Sequence, residues 1–391
     1  MKIKNVKIGK NKVLKNIDIS FEKDNQILDT IVIAGSNGSG KTTLLESICD
    51  YFKTRIFPLN EKEMNVQIDL FLENREEKID ENIISELHSI NYYKNKNINK
   101  YEEIINTLKI LPKLIYVPAE IDFNEVKTET TNYKSDYKFF NIVDSDVIED
   151  IPSYISSRIY YIANTEEELT LKEVKEKVNA EINGVFDILD LDVKLTGLSK
   201  DEKNMPIFVN SSGDEFDINE LSSGEKQLFL RTLSIKMLEP ENSIILIDEP
   251  ELSLHPKWQQ RIIDVYKKIG KNNQIIVATH SPHVLGSVSN ENIFLLSKNK
   301  KGEIIVLSGD ELYTSYGQSA DRILEDIMGL ETARNPKIFN LLNECRKMVD
   351  DNKYNTKEFE EKYSKLKSIL GENDEDLFLI EMDIQRKNKE V

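Results

Sequence analysis

The sequence predicts an α/β fold around a central, mostly parallel sheet. Three observations lead there. Short apolar runs, "TIVIAG" at 30–35, "SIILIDEP" at 243–250 and "QIIVATHSPH" at 274–283, have the form of strands buried on both faces. A glycine-rich turn, "GSNGSGKT" at 35–42, follows the first run directly, and beyond it Leu44, Leu45, Ile48 and Cys49 fall at helical spacing.

Taken in order, residues 3–33 alternate as "KIKNVKI" and "LKNIDISF" before "TIVIAG", which predicts an antiparallel N-terminal β region leading into a buried strand. "VQIDLFL" at 66–72 predicts a further strand. From 76 to 215 the chain turns to charged helical stretches, expected as a helical and mixed lid insertion. Within it "LIYVPAE" at 114–120 predicts a core strand, and a helix is expected over about 165–183 with Thr165 and Glu168 spaced as a capping box. No heptad pattern persists across the insertion, which argues against a long coiled-coil arm. The expected division is a first core segment at 1–75, the insertion at 76–215, a second core segment at 216–310 and a helical interaction region at 311–391.

In that last region Ile338, Leu341, Leu342, Cys345, Met348 and Val349 form one apolar stripe. Phe359, Tyr363, Leu366, Ile369 and Leu370 form a second, and Leu377, Ile380 and Ile384 a third. Asn335 with Pro336, and Thr356, mark helix starts; Gly371 marks a stop. A helical hairpin or bundle is expected, either packed on its own core or offering a surface to a partner.

Bulk properties restrict the function. With 52 basic and 69 acidic side chains the formal charge is −17, which repels polyphosphates from the molecule as a whole. Any nucleic-acid contact must be local. Six lysines in "MKIKNVKIGKNKVLK" are the best candidate patch, with solvated lysines on a hairpin as the alternative reading. Cys49 and Cys345 are the only cysteines and share no metal-ligand spacing, so a reducing cytoplasm and no disulfide framework are expected. Nothing in the sequence has the length and apolarity of a bilayer span.

The chemistry resides in four motifs. "GSNGSGKT" fits G-x-x-x-x-G-K-[ST] in the strand-then-helix setting that motif requires. Gly35, Ser36, Asn37, Gly38, Ser39 and Gly40 would aim backbone N–H groups at a β-phosphate, with Thr43 behind them on the helix. Lys41 would bridge the β- and γ-phosphates of ATP, and the Thr42 hydroxyl suits Mg²⁺. Asp248, at the tip of an apolar strand, would hold Mg²⁺ through water, and Glu249 could act as general base towards the attacking water. His280, at the end of the third apolar run, could report the γ-phosphate or the water. In "LSSGEKQLFLRTLSIKML" Ser222, Ser223 and Gly224 are expected to cap an amphipathic helix. The same chain already supplies a phosphate loop, so these residues serve either as an ordinary cap or as ligands to the nucleotide of a second copy across a two-fold axis.

"GSNGSGKTT", "ELSSGEKQL", "IILIDEPELSLHP" and "VATHSPH" together resemble the ABC-type ATPases of the SMC, RecF and OLD branch. In that family they correspond to Walker A, signature, Walker B with D-loop, and histidine switch. The resemblance implies a P-loop NTPase with an ABC-ATPase head, ATP and Mg²⁺ as cofactors, and a homo-oligomer, an ATP-sandwich dimer or higher, in which Ser222 addresses the opposite γ-phosphate. Ser223 and Glu225 replace the Gly and Gln usual in transporters, and Leu252, Ser253, Leu254 and His255 replace a D-loop that ends in Asp. No Q-loop glutamine and no N-terminal aromatic for adenine stand out.

"YGQSADRILEDIMGLETARNPKI" is similar to small bacterial ATPases of the PtuA kind, which act beside a separate nuclease in antiphage defence. The implied function is an ATP-driven switch for a nuclease effector. A RecF-like ATPase binding DNA directly is the alternative. A transporter subunit fits poorly with the long gap between motifs, and no nuclease motif occurs in the chain itself.

Overall fold

A computed structural model describes residues 1–54, 66–71, 81–121, 137–201 and 204–390. These form two compact units, Met1–Ala320 and Asp321–Val391.

The larger unit is built on a seven-stranded sheet. Its order is Ile304–Ser308, Ile293–Lys298, Thr30–Gly35, Gln274–Thr279, Ile244–Asp248, Leu114–Val117 and Phe140–Ile142. All neighbours are parallel except the edge strand Ile304–Ser308. Thr30–Gly35, Gln274–Thr279 and Ile244–Asp248 are buried at every position, as continuous apolar runs require when both faces are covered. The stretch expected as a lid therefore contributes two strands, one of them next to Ile244–Asp248.

The N-terminal β region is a separate antiparallel sheet, Lys2–Asn11 flanked by Leu14–Ser20 and Val66–Phe71. Its hairpin turn lies on the glycine-rich loop. The Asn11 amide donates to Ser47 Oγ at 2.8 Å, and Lys12 pairs with Glu46 at 2.7 Å. Four of the six N-terminal lysines have acidic partners, Lys2–Asp29, Lys4–Glu22, Lys7–Asp18 and Lys12–Glu46. Most of the charge that could have attracted a nucleic acid is thus compensated locally.

Within 137–217 the helices Ile151–Thr165 and Leu171–Asn183 and a small antiparallel sheet, Lys194–Leu198, Pro206–Val209 and Glu215–Asp217, surround the signature helix Ser223–Met237. Phe186 and Phe208 pack on Phe229 of that helix, with ring centroids 4.4 and 4.6 Å away. Leu228 to Ile235 of the helix are all buried. The expected amphipathic helix is instead covered all round, because the insertion closes the side that would otherwise meet water.

The expected capping box at Thr165 and Glu168 is displaced by five residues. Thr165 ends the preceding helix, its hydroxyl donating back to the Tyr161 carbonyl, and Thr170 with Glu173 forms the box that opens Leu171–Asn183. Asp190 and Asp192 have structural partners: Asp190 pairs with Lys257, and Asp192 accepts from the Ser211 amide.

In the smaller unit three helices, Pro336–Asp350, Lys357–Leu370 and Glu375–Glu390, pack around Leu342, Cys345, Val349, Phe359, Leu366, Leu377 and Ile380. Asn335 and Thr356 cap the first two, and Gly371 at φ +84° ends the second. Ile369, expected in the apolar stripe, is half exposed instead.

Candidate active site

Gly35, Asp248 and Thr279 lie at the carboxyl ends of adjacent parallel strands, the edge at which open α/β sheets bind ligands. The glycine-rich loop turns from the first of these into the helix Lys41–Thr54. Two glycines are required sterically. A Cβ on Gly35 would come within 2.7 Å of the Leu296 carbonyl oxygen, and one on Gly40, at φ +98°, would meet Leu14 at 2.7 Å and Val13 at 2.9 Å. Ser36, Asn37, Gly38 and Thr42 are exposed, whereas Ser39 and Thr43 are buried. Ser39 Oγ has no hydrogen-bond partner.

Lys41 is 6% exposed, and its ammonium donates to the carbonyls of Gly35 at 2.9 Å and Ser36 at 3.4 Å. Burial pushes this lysine down from its ordinary pKa, opposed by Glu249, Asp248 and Glu251. It is folded back on its own loop.

Asp248 is 1% exposed and its Oδ1 has no partner. Burial pushes its carboxyl up, against the Thr42 hydroxyl that hydrogen-bonds it and the nearby charges of Lys41 and Arg231. A buried carboxylate oxygen left unpaired beside a threonine hydroxyl is a suitable donor set for Mg²⁺, a hard cation that takes oxygen ligands. These two residues fit the metal.

Glu249 occupies the left-handed region at φ +46°, a conformation that costs about 1–3 kcal/mol for a residue with a side chain and persists where neighbours enforce it. Its amide donates to the Ala278 carbonyl at 2.9 Å and its own carbonyl accepts from Arg231 at 3.0 Å. This sets the carboxylate 3.4 Å from His280 Nδ1. Glu249 and His280 are therefore brought together and remain partly open to solvent.

Two residues in this cluster lie within the quoted motif stretches, which assigned them no role. Glu251 is 5% exposed, and its Oε1 accepts from the Thr279 hydroxyl at 2.6 Å and the His280 amide at 3.0 Å, holding the histidine loop against the Asp248 strand. Arg231, 2% exposed, leaves the signature helix to donate to the carbonyls of Ala119 at 2.7 Å, Glu249 at 3.0 Å, Asp248 at 3.4 Å and Pro118. A lone Arg in an apolar helix could have flagged the second. Nothing separates Glu251 from an ordinary loop acid. Val13, 46% exposed on the hairpin turn beside Gly40, is a third residue the motifs omit.

Ser222 caps the signature helix by accepting from the Glu225 amide while the Glu225 carboxylate accepts from the Ser222 amide, a complete capping box. Ser222 and Ser223 are exposed and Gly224 is buried. A Cβ on Gly224 would approach the Ser253 carbonyl to 2.6 Å, so glycine lets this helix start rest on the D-loop. The box engages the Glu225 and Ser222 amides, and Ser222 and Ser223 lie exposed at the helix start.

Residues 31–286 match the protein family described as "AAA domain, putative AbiEii toxin, Type IV TA system". Septu protein PtuA of Bacillus thuringiensis is 28% identical to this chain, over 87% of this chain and 88% of that protein. The "Retron Vc95 probable ATPase" of Vibrio cholerae serotype O1 biovar El Tor is 25% identical, over 76% of this chain and 74% of that protein. Among solved structures, the SmcHead bound to the C-winged helix domain of ScpA superposes with a TM-score of 0.44 at 16% identity, covering 79% of this chain and 98% of that one.

Proposed function

We infer that this chain, which belongs to the family of AAA domains matched over residues 31–286, is an ATP hydrolase working as a dimeric switch for a separate effector. ATPase activity follows from the family; the switch, its site residues and its effector are our reading.

In that reading Gly35 to Thr43 cradle the phosphates, with Lys41 released from the Gly35 and Ser36 carbonyls to bridge β and γ oxygens. Thr42 and Asp248 would hold Mg²⁺, which supplies charge neutralisation on those oxygens. Glu249 orients the attacking water and takes its proton, while His280, 3.4 Å from that carboxylate, donates towards the water or the γ-phosphate. Ser222, Ser223 and Gly224 present the start of the signature helix to the nucleotide of a second copy.

One observation carries the switch. The helix whose exposed N-terminus would meet the second copy's phosphate also holds, through Arg231, the carbonyls of Asp248 and Glu249. Docking at one end of the helix therefore acts on the base at its other contact.

The effector is proposed as a nuclease in antiphage defence. Support comes from likeness to a Septu protein and a retron ATPase. Set against the RecF-like alternative, four of the six N-terminal lysines have acidic partners in the chain.

Replacing Glu249→Gln removes the base and leaves the cradle. Light scattering should then show a dimer that forms with ATP and Mg²⁺ and does not dissociate. A scattering mass indifferent to nucleotide rejects the switch.

A further inference from the structure

The last helix of the small unit carries a surface that its own bundle does not use. Leu377, Ile380 and Ile384 face the bundle core, and of the acids around the helix start Asp374 and Asp376 are ion-paired within the unit. Asp374 and Asp376 are held by Arg334 at 2.9 and 2.7 Å, and Arg346 also binds Asp376. Near the other end Lys387 donates to the carbonyls of Val349 and Asp350, both at 2.8 Å.

The opposite stripe is Glu375, Phe378, Leu379, Met382, Arg386 and Lys389, all exposed. At 3.6 residues per turn these six lie within roughly 100° of one another. Phe378 is 61%, Leu379 52% and Met382 51% exposed, and Ile369 at the end of the preceding helix is 50% exposed. A cleft of about 430 Å³ opens beside them, lined by Glu372, Asn373, Glu375, Phe378 and Leu379. The stripe thus has acid at its start, apolar side chains in its middle and base at its end.

That order is self-complementary when reversed. We propose that this helix pairs antiparallel with the same helix of a second copy, about a two-fold axis between Leu379 and Met382, as an assembly contact separate from the nucleotide site. With the axis there, Glu375 of each copy faces Arg386 of the other. Leu379 of one packs on Met382 of the other. Arg386 must share its charge with Asp383 on its own helix, 3.4 Å away. Parallel pairing would set acid against acid and base against base, so charge selects the antiparallel arrangement.

The apolar patch is small against the ~800 Å² per partner of a standard interface, as in transient contacts. Together with an ATP-dependent two-fold at the nucleotide site, a second two-fold would link dimers into larger assemblies.

The test uses the full chain, free of nucleotide and with EDTA present, followed by sedimentation velocity over a wide range of concentration. The mass should rise towards that of a dimer. Leu379→Glu with Met382→Glu should abolish the rise. Glu375→Arg and Arg386→Glu should each weaken it about tenfold, since each puts like charges at two symmetric positions. The double variant Glu375→Arg/Arg386→Glu should restore association to within about twofold, because it exchanges the charges at both ends of every pair. All these positions are exposed, and unchanged helix content by circular dichroism confirms that the bundle still folds. A chain that stays monomeric at every concentration, or a double variant no tighter than the singles, overturns the proposal and leaves the stripe to a different partner. Because no nucleotide is present, the outcome is independent of the ATP-driven dimer.

Discussion

Arg231→Met tests whether the signature helix positions Glu249, the carboxylate proposed as the base. Arg231 is buried and makes two hydrogen bonds of good length, to Ala119 at 2.7 Å and Glu249 at 3.0 Å, with weaker or secondary contacts to Asp248 and Pro118. Hydrogen bonds involving a charged group contribute ~1.5–3 kcal/mol each, so two give ~3–6 kcal/mol. Arg231 Nε lacks a partner, which leaves some of the desolvation cost of the charge unrelieved and favours the low end of that range. Methionine fills much of the volume, limiting any cavity contribution. The expected loss is about 3 kcal/mol, measured as a shift in urea midpoint at unchanged slope.

The kinetic effect is separable. Without Arg231 the Glu249 carbonyl loses the donor that helps hold its backbone at φ +46°, and kcat should fall by at least about tenfold while ATP affinity, set at the phosphate loop, changes little. Stability lost with kcat intact would make Arg231 a fastening alone. A stability change below about 1 kcal/mol would refute the hydrogen-bond argument itself.

Two further substitutions have opposite signs. Asp248→Asn should stabilise the nucleotide-free chain at neutral pH while abolishing the Mg²⁺-dependent stabilisation by ATP. Burial raises the folded-state pKa of Asp248, so the charged form is penalised in the fold above that pKa; the advantage of Asn should shrink as pH falls through the folded value towards the unfolded one, in thermal melts at several pH values. Gly35→Ala should cost about 3 kcal/mol or more and prevent nucleotide binding by titration calorimetry, because its Cβ meets the Leu296 carbonyl oxygen at 2.7 Å with no room to yield.

The strands and loops of the proposed site were legible because each motif there combines a local pattern with a strand end. "TIVIAGSNGSGKT" and "IILIDE" specify both the sheet and the loop after it. The tail was legible for a similar reason, since Asn335, Thr356 and Gly371 are local punctuation. What escaped depends on distant partners. Thr165 and Thr170 both open a T-x-x-E pattern, and only the length of the helix ending at Thr165 selects the second. The signature helix is covered all round because Phe186 and Phe208 reach Phe229 from elements well upstream in the chain. Arg231 and Glu251 acquire roles only when the ends of separate strands are side by side.

The central claim is a nucleotide held jointly by two copies, and mixing two defective proteins tests it most directly. Lys41→Ala disables the phosphate loop and leaves the signature helix intact; Ser222→Arg blocks the signature helix and leaves the loop intact. Each alone should hydrolyse ATP at a small fraction of the unaltered rate. A mixture should recover activity, because a mixed dimer contains one site with an unaltered loop and an unaltered signature. Activity in the mixture no greater than the two proteins show separately, or full activity in Ser222→Arg alone, would contradict the shared site.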